Sequence, residues 1–265
     1  MAFPVKVSAL RALVKEISVS SEQAKPLAVG GARELAAVLR RELGRGAAAG
    51  ALAGAPEGAA AYVHVLGAAD DEAELERARR ARVPIVAVAS KAVDSVPFVL
   101  ATDVVRVAPG AGFPIDEIAA AIARKLGEQG APLAARVPVL RAPVADRLIR
   151  SFARANGVVG AAVFVPGADL PVLALNEVRL VLRLHQAYGH DVDPRERLPE
   201  VGATLGAAFG LRAVARELLD LVPVAGWALK GAVAYAGTRA LGEAALRRLE
   251  QAPTRPRGGA SRGAP

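Results

Sequence analysis

From Pro26 to Leu126 the chain alternates short apolar runs with charged, helix-periodic segments, and this alternation constrains the fold more than any other feature. Pro26–Val29 reads as a strand ending in Gly30-Gly31. Ala32–Leu43 then reads as a helix with Leu35, Val38, Leu39 and Leu43 on one face. Gly44–Gly58 is an Ala/Gly loop with room for a short strand. Ala60–Leu66 is a buried strand, and Asp70–Arg82 is a charged helix with Asp70 placed to cap it. Pro84–Ala89 (PIVAVA) is continuously apolar, as strands of a parallel sheet prefer. Phe98–Leu100 and Val104–Val107 follow as short strands. Pro114–Leu126 closes the region as a helix with Ile115, Ile118, Ile122 and Leu126 in register. Strand–helix alternation of this kind predicts an α/β domain, a parallel sheet with helices on its faces.

After Gly130 the pattern becomes helical only. Pro143–Asn156 reads as a helix that Gly157 ends, with Arg147, Arg150 and Arg154 opposite Val144, Leu148 and Phe152. Leu170–Tyr188 is ended by Gly189, Asp193-Pro194-Arg195-Glu196 is a strong helix start, and Gly210–Leu221 and Gly226–Glu250 complete the helices. Ahead of the α/β region, Val5, Ala9, Leu13 and Ile17, with Leu10 and Val14, give an amphipathic helix. The expected organisation is therefore an N-terminal helix (1–24), an α/β domain (25–130), a basic connector (131–157), a helical domain (158–250) and a low-complexity tail (251–265).

Composition narrows the chemistry. Hydrophobic residues make up 53% of the 265, but 60 residues are alanine and only 4% are aromatic, so the apolar mass suits close helix packing as much as lipid. There is no cysteine, which removes disulfides, thiol catalysis and cysteine-ligated metal. Charged or proline residues interrupt each apolar stretch before it reaches the ~20 residues of a span. The formal charge of +8 is concentrated: the first 130 residues carry +1, residues 131–157 carry +4, residues 158–250 balance, and the tail carries +3. Basic charge on a connector and a tail points to an acidic partner surface such as anionic lipid or nucleic acid, and with only ten aromatic residues no specific nucleic-acid site is expected. His64 sits on a buried strand and reads as a core histidine. His185, His190, Asp191 and Asp193 match no ligand spacing, so no metal is expected.

Two stretches resemble known families. PIVAVASKAVD (84–94) resembles the strand that ends in the Asn-Lys-x-Asp guanine motif of translation-factor-type GTPases. Here Ser90 replaces the Asn and Asp94 is displaced by one residue. The resemblance implies a P-loop-GTPase-like sheet with a vestigial nucleotide site at Gly30, Gly31, Lys91 and Asp94. A working phosphate loop needs Gly-x4-Gly-Lys-Ser/Thr, and the stretch around Gly30-Gly31 has neither the Lys nor the hydroxyl. The expectation is a degenerate, non-catalytic domain without a cofactor.

Residues 167–193 and 211–250 resemble the YcjF-type GTPase-associated helical family (domain of unknown function 697), through Pro166-Gly167-Ala168-Asp169, the arginine-bearing helix ending Tyr188-Gly189, Arg212 with Arg216, and Tyr235–Thr238 followed by Ala240-Leu241-Gly242. The resemblance implies a neighbouring GTPase as partner and a link to the inner membrane. Gly226, Ala228, Gly231, Ala232, Ala234, Ala236, Gly237, Ala240 and Gly242 give one helix almost no steric bulk, suited to a tight hairpin or to lipid. Trp227 and Tyr235 would then anchor at an interface, Lys230 would snorkel, and Arg147, Arg150 and Arg154 would meet headgroups. The sequence thus predicts a cytoplasmic scaffold or adaptor, peripheral to or shallowly inserted in the inner membrane. Its rivals are a nucleotide-binding switch without hydrolysis and a helical homo-oligomerisation module.

Overall fold

A computed structural model describes residues 7–90, 95–108, 110–162, 170–190 and 226–251. The fold is mixed α/β. Five parallel strands, β1 (Leu27–Gly31), β2 (Leu52–Ala53), β3 (Ala61–Val65), β4 (Ile85–Ala89) and β5 (Val104–Arg106), lie in the order β2-β1-β3-β4-β5. Parallel neighbours need crossovers: α2 (Arg33–Leu43) carries the chain from β1 to β2 and α3 (Asp71–Arg80) from β3 to β4, while α4 (Ile115–Leu126) follows β5.

Alternation along the strands decides which face each side chain serves. Leu27 and Val29, Val63 and Val65, Val86 and Val88, and Val105 join a large core with α2 and α4. Ala28, Tyr62, Ile85 and Ala87 face the other way, under α3 through Leu75 and Ala78, and under the loop residue Val96. The second face buries fewer residues than the first, and among the described residues α3 is the α-helix that covers it.

The large core does not stop at Gly130. It runs on through α5 (Ala131–Arg136), α6 (Arg141–Ala162), α7 (Leu170–Ala187) and α8 (Gly226–Gln251), so sheet and helices share one apolar interior. The first helix, α1 (Val7–Glu22), joins it through Leu13, Val14 and Ile17. It packs on α7, more than 160 residues later in the chain. There Gln186 donates to the Ile17 carbonyl (3.0 Å), and Arg183 and Arg179 reach Glu16 at 2.7 and 2.9 Å. Arg179 also meets Glu128 at 2.9 Å, which fixes the turn after α4 to the same network. Burial pulls the Arg183 guanidinium down from its ordinary range, and Glu16 opposes that shift.

Several expected local features differ. Phe98–Leu100 is no strand: Val96–Val99 closes a two-residue turn instead. On α2 the buried residues are Ala36, Leu39 and Leu43, while Leu35 and Val38 face solvent, because small Ala36 lets the helix lie closer to the sheet. Asp70 makes no capping bond. Helix α6 runs past Gly157 to Ala162, since that glycine serves a close helix contact rather than a terminus. The expected helices at Asp193 and Gly210–Leu221 and the tail after Gln251 lie outside the described residues.

Candidate functional site

In a doubly wound sheet of this order, ligands enter at the carboxyl ends of the strands where the winding reverses, here between β1 and β3. Gly30-Gly31 ends β1 at that point, paired with His64 and Val65 of β3. Both glycines are there for packing. A Cβ on Gly30 would run into the Tyr62 ring and hydroxyl. Gly31 holds φ at +94°, and a Cβ there would press on the Val65 carbonyl and come within 2.8 Å of its nitrogen.

The crevice is filled from within. Glu74 of α3 reaches back so that one carboxylate oxygen accepts the Gly31 amide (3.1 Å) and the Tyr62 hydroxyl (2.6 Å). The phenol oxygen also lies 2.9 Å from His64 Nδ1, and His64 Nε2 lies 2.9 Å from Asp71. Asp71 in turn accepts the amides of Gly67 (2.7 Å) and Ala68 (3.1 Å), which pins the β3–α3 turn. A phenol has one proton to give, and it goes to Glu74. The His64 ring bridges the phenol and Asp71 through its two nitrogens. Burial, reinforced by the bond to Glu74, pushes the Tyr62 phenol far above its usual range.

The chemistry of the cluster resembles general acid–base machinery, but the geometry closes it. His64 is fully buried and Tyr62 lies beneath α3. The position where a phosphate would take the Gly31 amide is held by a carboxylate, which repels anions. The next amide, of Ala32, is bonded to the Val65 carbonyl. The sequence-predicted nucleotide residues Gly30 and Gly31 thus face Tyr62 and Glu74, while Lys91 and Asp94 lie outside the described residues. Among the described residues, no group of three or more metal-ligating side chains is arranged to hold an ion.

The cluster has a sequence signature that periodicity alone passes over. Tyr62 and His64 are two polar rings at i and i+2 on a strand otherwise built of Ala and Val. Asp71 and Glu74 follow one helical turn apart on the next helix. Read separately, the carboxylates look like ornaments of a helix dipole; read with the rings, they are their partners.

The expected contact residues of the helical half divide in two. Gly157, Gly160, Gly231 and Gly242 are used inside the molecule. A Cβ on Gly160 would lie 2.8 Å from that of Ala234, one on Gly231 would lie 2.9 Å from the Gly157 carbonyl, and one on Gly242 would meet Ile149 at 2.7 Å. Tyr235 is half-buried, with its Cβ close to Gly157 of α6. Beneath them Asn156, Thr238 and Glu177 are fully buried; Asn156 donates to Thr238 (2.9 Å), and Thr238 donates to Glu177 (3.2 Å). On the outside, Arg150 pairs with Asp146, Arg147 is half-buried, and Arg154 and Lys230 are exposed. Trp227 belongs to the first turn of α8. Among the described residues no helix is long and apolar enough to cross a membrane.

Comparison with known protein families, curated proteins and solved structures finds no match to this chain.

Proposed function

We propose that this chain is a non-catalytic adaptor, a GTPase-like sheet that has lost its nucleotide chemistry joined to a YcjF-like helical part, working by contact at the cytoplasmic face of a membrane. One observation carries the reading: Glu74 occupies the Gly31 amide at the winding reversal, where a ligand of this architecture would sit. A site whose own carboxylate, phenol and imidazole satisfy one another has no vacancy for a phosphate. What remains for function is surface.

The membrane side of the proposal draws on one end of the helical bundle. The end of α6 meets the start of α8, and there Arg154, Val158, Leu229 and Lys230 are all exposed, with Val158 at 68%. Apolar and basic groups side by side suit shallow contact with anionic headgroups, at about 1 kcal/mol for each basic residue near the surface.

Two measurements test the reading. Calorimetric titration with GTP, GDP and guanosine tetraphosphate should give no heat and no thermal shift. Saturable one-to-one binding would replace the adaptor with a nucleotide switch. Flotation with vesicles containing phosphatidylglycerol should carry the protein upward, and Arg154→Glu with Lys230→Glu should return it to the soluble fraction. Protein that never floats sinks the membrane part alone.

A further inference from the structure

The second face of the sheet carries an oddity at Val96–Leu100. Val99 donates to the Val96 carbonyl at 3.2 Å, closing a turn with Pro97 and Phe98 at its centre. Phe98 has φ of +63°, the value the second central residue of a type II turn requires and one that favours glycine. A bulky residue in that conformation is strained, and strain of this kind persists where something other than stability keeps it. The ring is not hidden in exchange: Phe98 is 44% exposed and Leu100 67%.

Positive charge stands beside the Phe98 ring. The Arg79 guanidinium sits 4.7 Å from the Phe98 ring centroid. Of the arginines at the end of α3 and just beyond it, Arg77 is 3.7 Å from Glu74 and Arg80 is 2.6 Å from Glu76. Arg79 and Arg82 are exposed, and no carboxylate among the described residues pairs with either. An exposed ring under one guanidinium, with a second exposed guanidinium three residues further along the chain and no carboxylate paired to either among the described residues, is complementary to carboxylates flanking an apolar side chain.

We infer that Phe98, Leu100, Arg79 and Arg82 form a docking surface for an acidic segment of a partner protein that carries a bulky apolar residue; this rests on the adaptor reading and names its partner-binding face. A segment fits better than a membrane. The same helix carries Asp70, Asp71, Glu72, Glu74 and Glu76 at its beginning, and its ten residues span only about 15 Å. A flat anionic surface resting on the arginines would meet those carboxylates, whereas a narrow peptide passes them by.

Panning a random dodecapeptide library on the immobilised full chain tests the surface. Enriched peptides should place Asp or Glu beside Phe, Leu or Trp. A synthetic copy should bind roughly tenfold or more weakly to Phe98→Gly and to Arg79→Glu/Arg82→Glu. Phe98→Gly should unfold at or above the wild-type temperature, because glycine suits the turn; a clear fall would make Phe98 a structural residue and overturn the proposal. So would no enrichment, enrichment without carboxylates, or equal binding by Phe98→Gly. Vesicle flotation lost in these variants would assign the patch to lipid and overturn it as well. None of these outcomes depends on the nucleotide titration, so the adaptor reading and this surface fail separately.

Discussion

The crevice between β1 and β3 and the seam between α6 and α8 are both places where two backbones come close, and they are closed by opposite means. In the crevice, polar groups are brought in until each has a partner: one carboxylate accepts an amide and a phenol, and an imidazole bridges to a second carboxylate. In the seam, side chains are removed until the helices touch, through Gly157, Gly160 and Gly231. The difference shows what each region tolerates. A network sealed by hydrogen bonds can lose a member and rearrange. A contact sealed by missing Cβ atoms cannot gain one.

The largest effect should follow from putting a side chain where the two means meet. Gly31→Ala adds a methyl group against the Val65 backbone and forces an alanine to φ +94°. Neither neighbour can yield, since both belong to paired strands. A loss of about 3–5 kcal/mol is expected in urea unfolding, enough to leave much of a marginal domain unfolded. A loss below 1 kcal/mol would show that β1 and β3 are not held at this register.

Next in size is the seam. Gly231→Leu should cost about 1–3 kcal/mol by overpacking, because Gly157 and Ala161 of α6 stand directly opposite. The experiment separates the two uses of a small-residue helix. If α8 met lipid instead of α6, leucine would be neutral or would strengthen vesicle binding.

The crevice should give a smaller and more graded response. Glu74→Ala leaves the Gly31 amide without its acceptor, while the Tyr62 hydroxyl can turn to His64, so about 1–2 kcal/mol is expected. Glu74→Gln keeps one acceptor oxygen and should cost less. An equal loss in both would mean that the negative charge, not the hydrogen bonds, is what the crevice needs.

How far the sequence revealed these regions depends on whether the signal was periodic. The strands at Leu27, Ala61, Ile85 and Val104 were legible because buried parallel strands are continuous apolar runs, and the helix from Gly226 because its small residues never break its turn. Gly157 misled because a glycine that ends a helix and one that admits a neighbouring helix look alike without the neighbour. Phe98–Leu100 misled for a related reason: an apolar triplet suits a strand or an exposed turn equally well. Ile17 and Gln186 were out of reach, since nothing local links α1 to a helix more than 160 residues away. Of the site, His64 as a buried residue was legible, but its acid partners were not, because Asp71 and Glu74 also satisfy the preference for carboxylates at a helix start.

The smallest expected effect sharpens the comparison from outside both regions. Tyr188 closes α7 against α8, donating to Glu250 at 3.3 Å, and burial together with Glu250 pushes its phenol up to about 12. Tyr62 is shifted the same way by the same kinds of cause, but from a fully buried position inside the crevice. A folded-state value above the unfolded one near 10 means that the neutral phenol adds stability below pH 10, and that this contribution is lost as pH rises toward 12. Tyr188→Phe should therefore differ from wild type by a small, constant amount below pH 10, and the gap should shrink above it. In a tyrosinate absorbance titration the variant should lack one step near pH 12, and Tyr62 should stay silent until the chain unfolds. If Tyr62 ionises in the folded protein before Tyr188, the crevice admits water and hydroxide, and the contrast between a polar seal and a steric one must be redrawn.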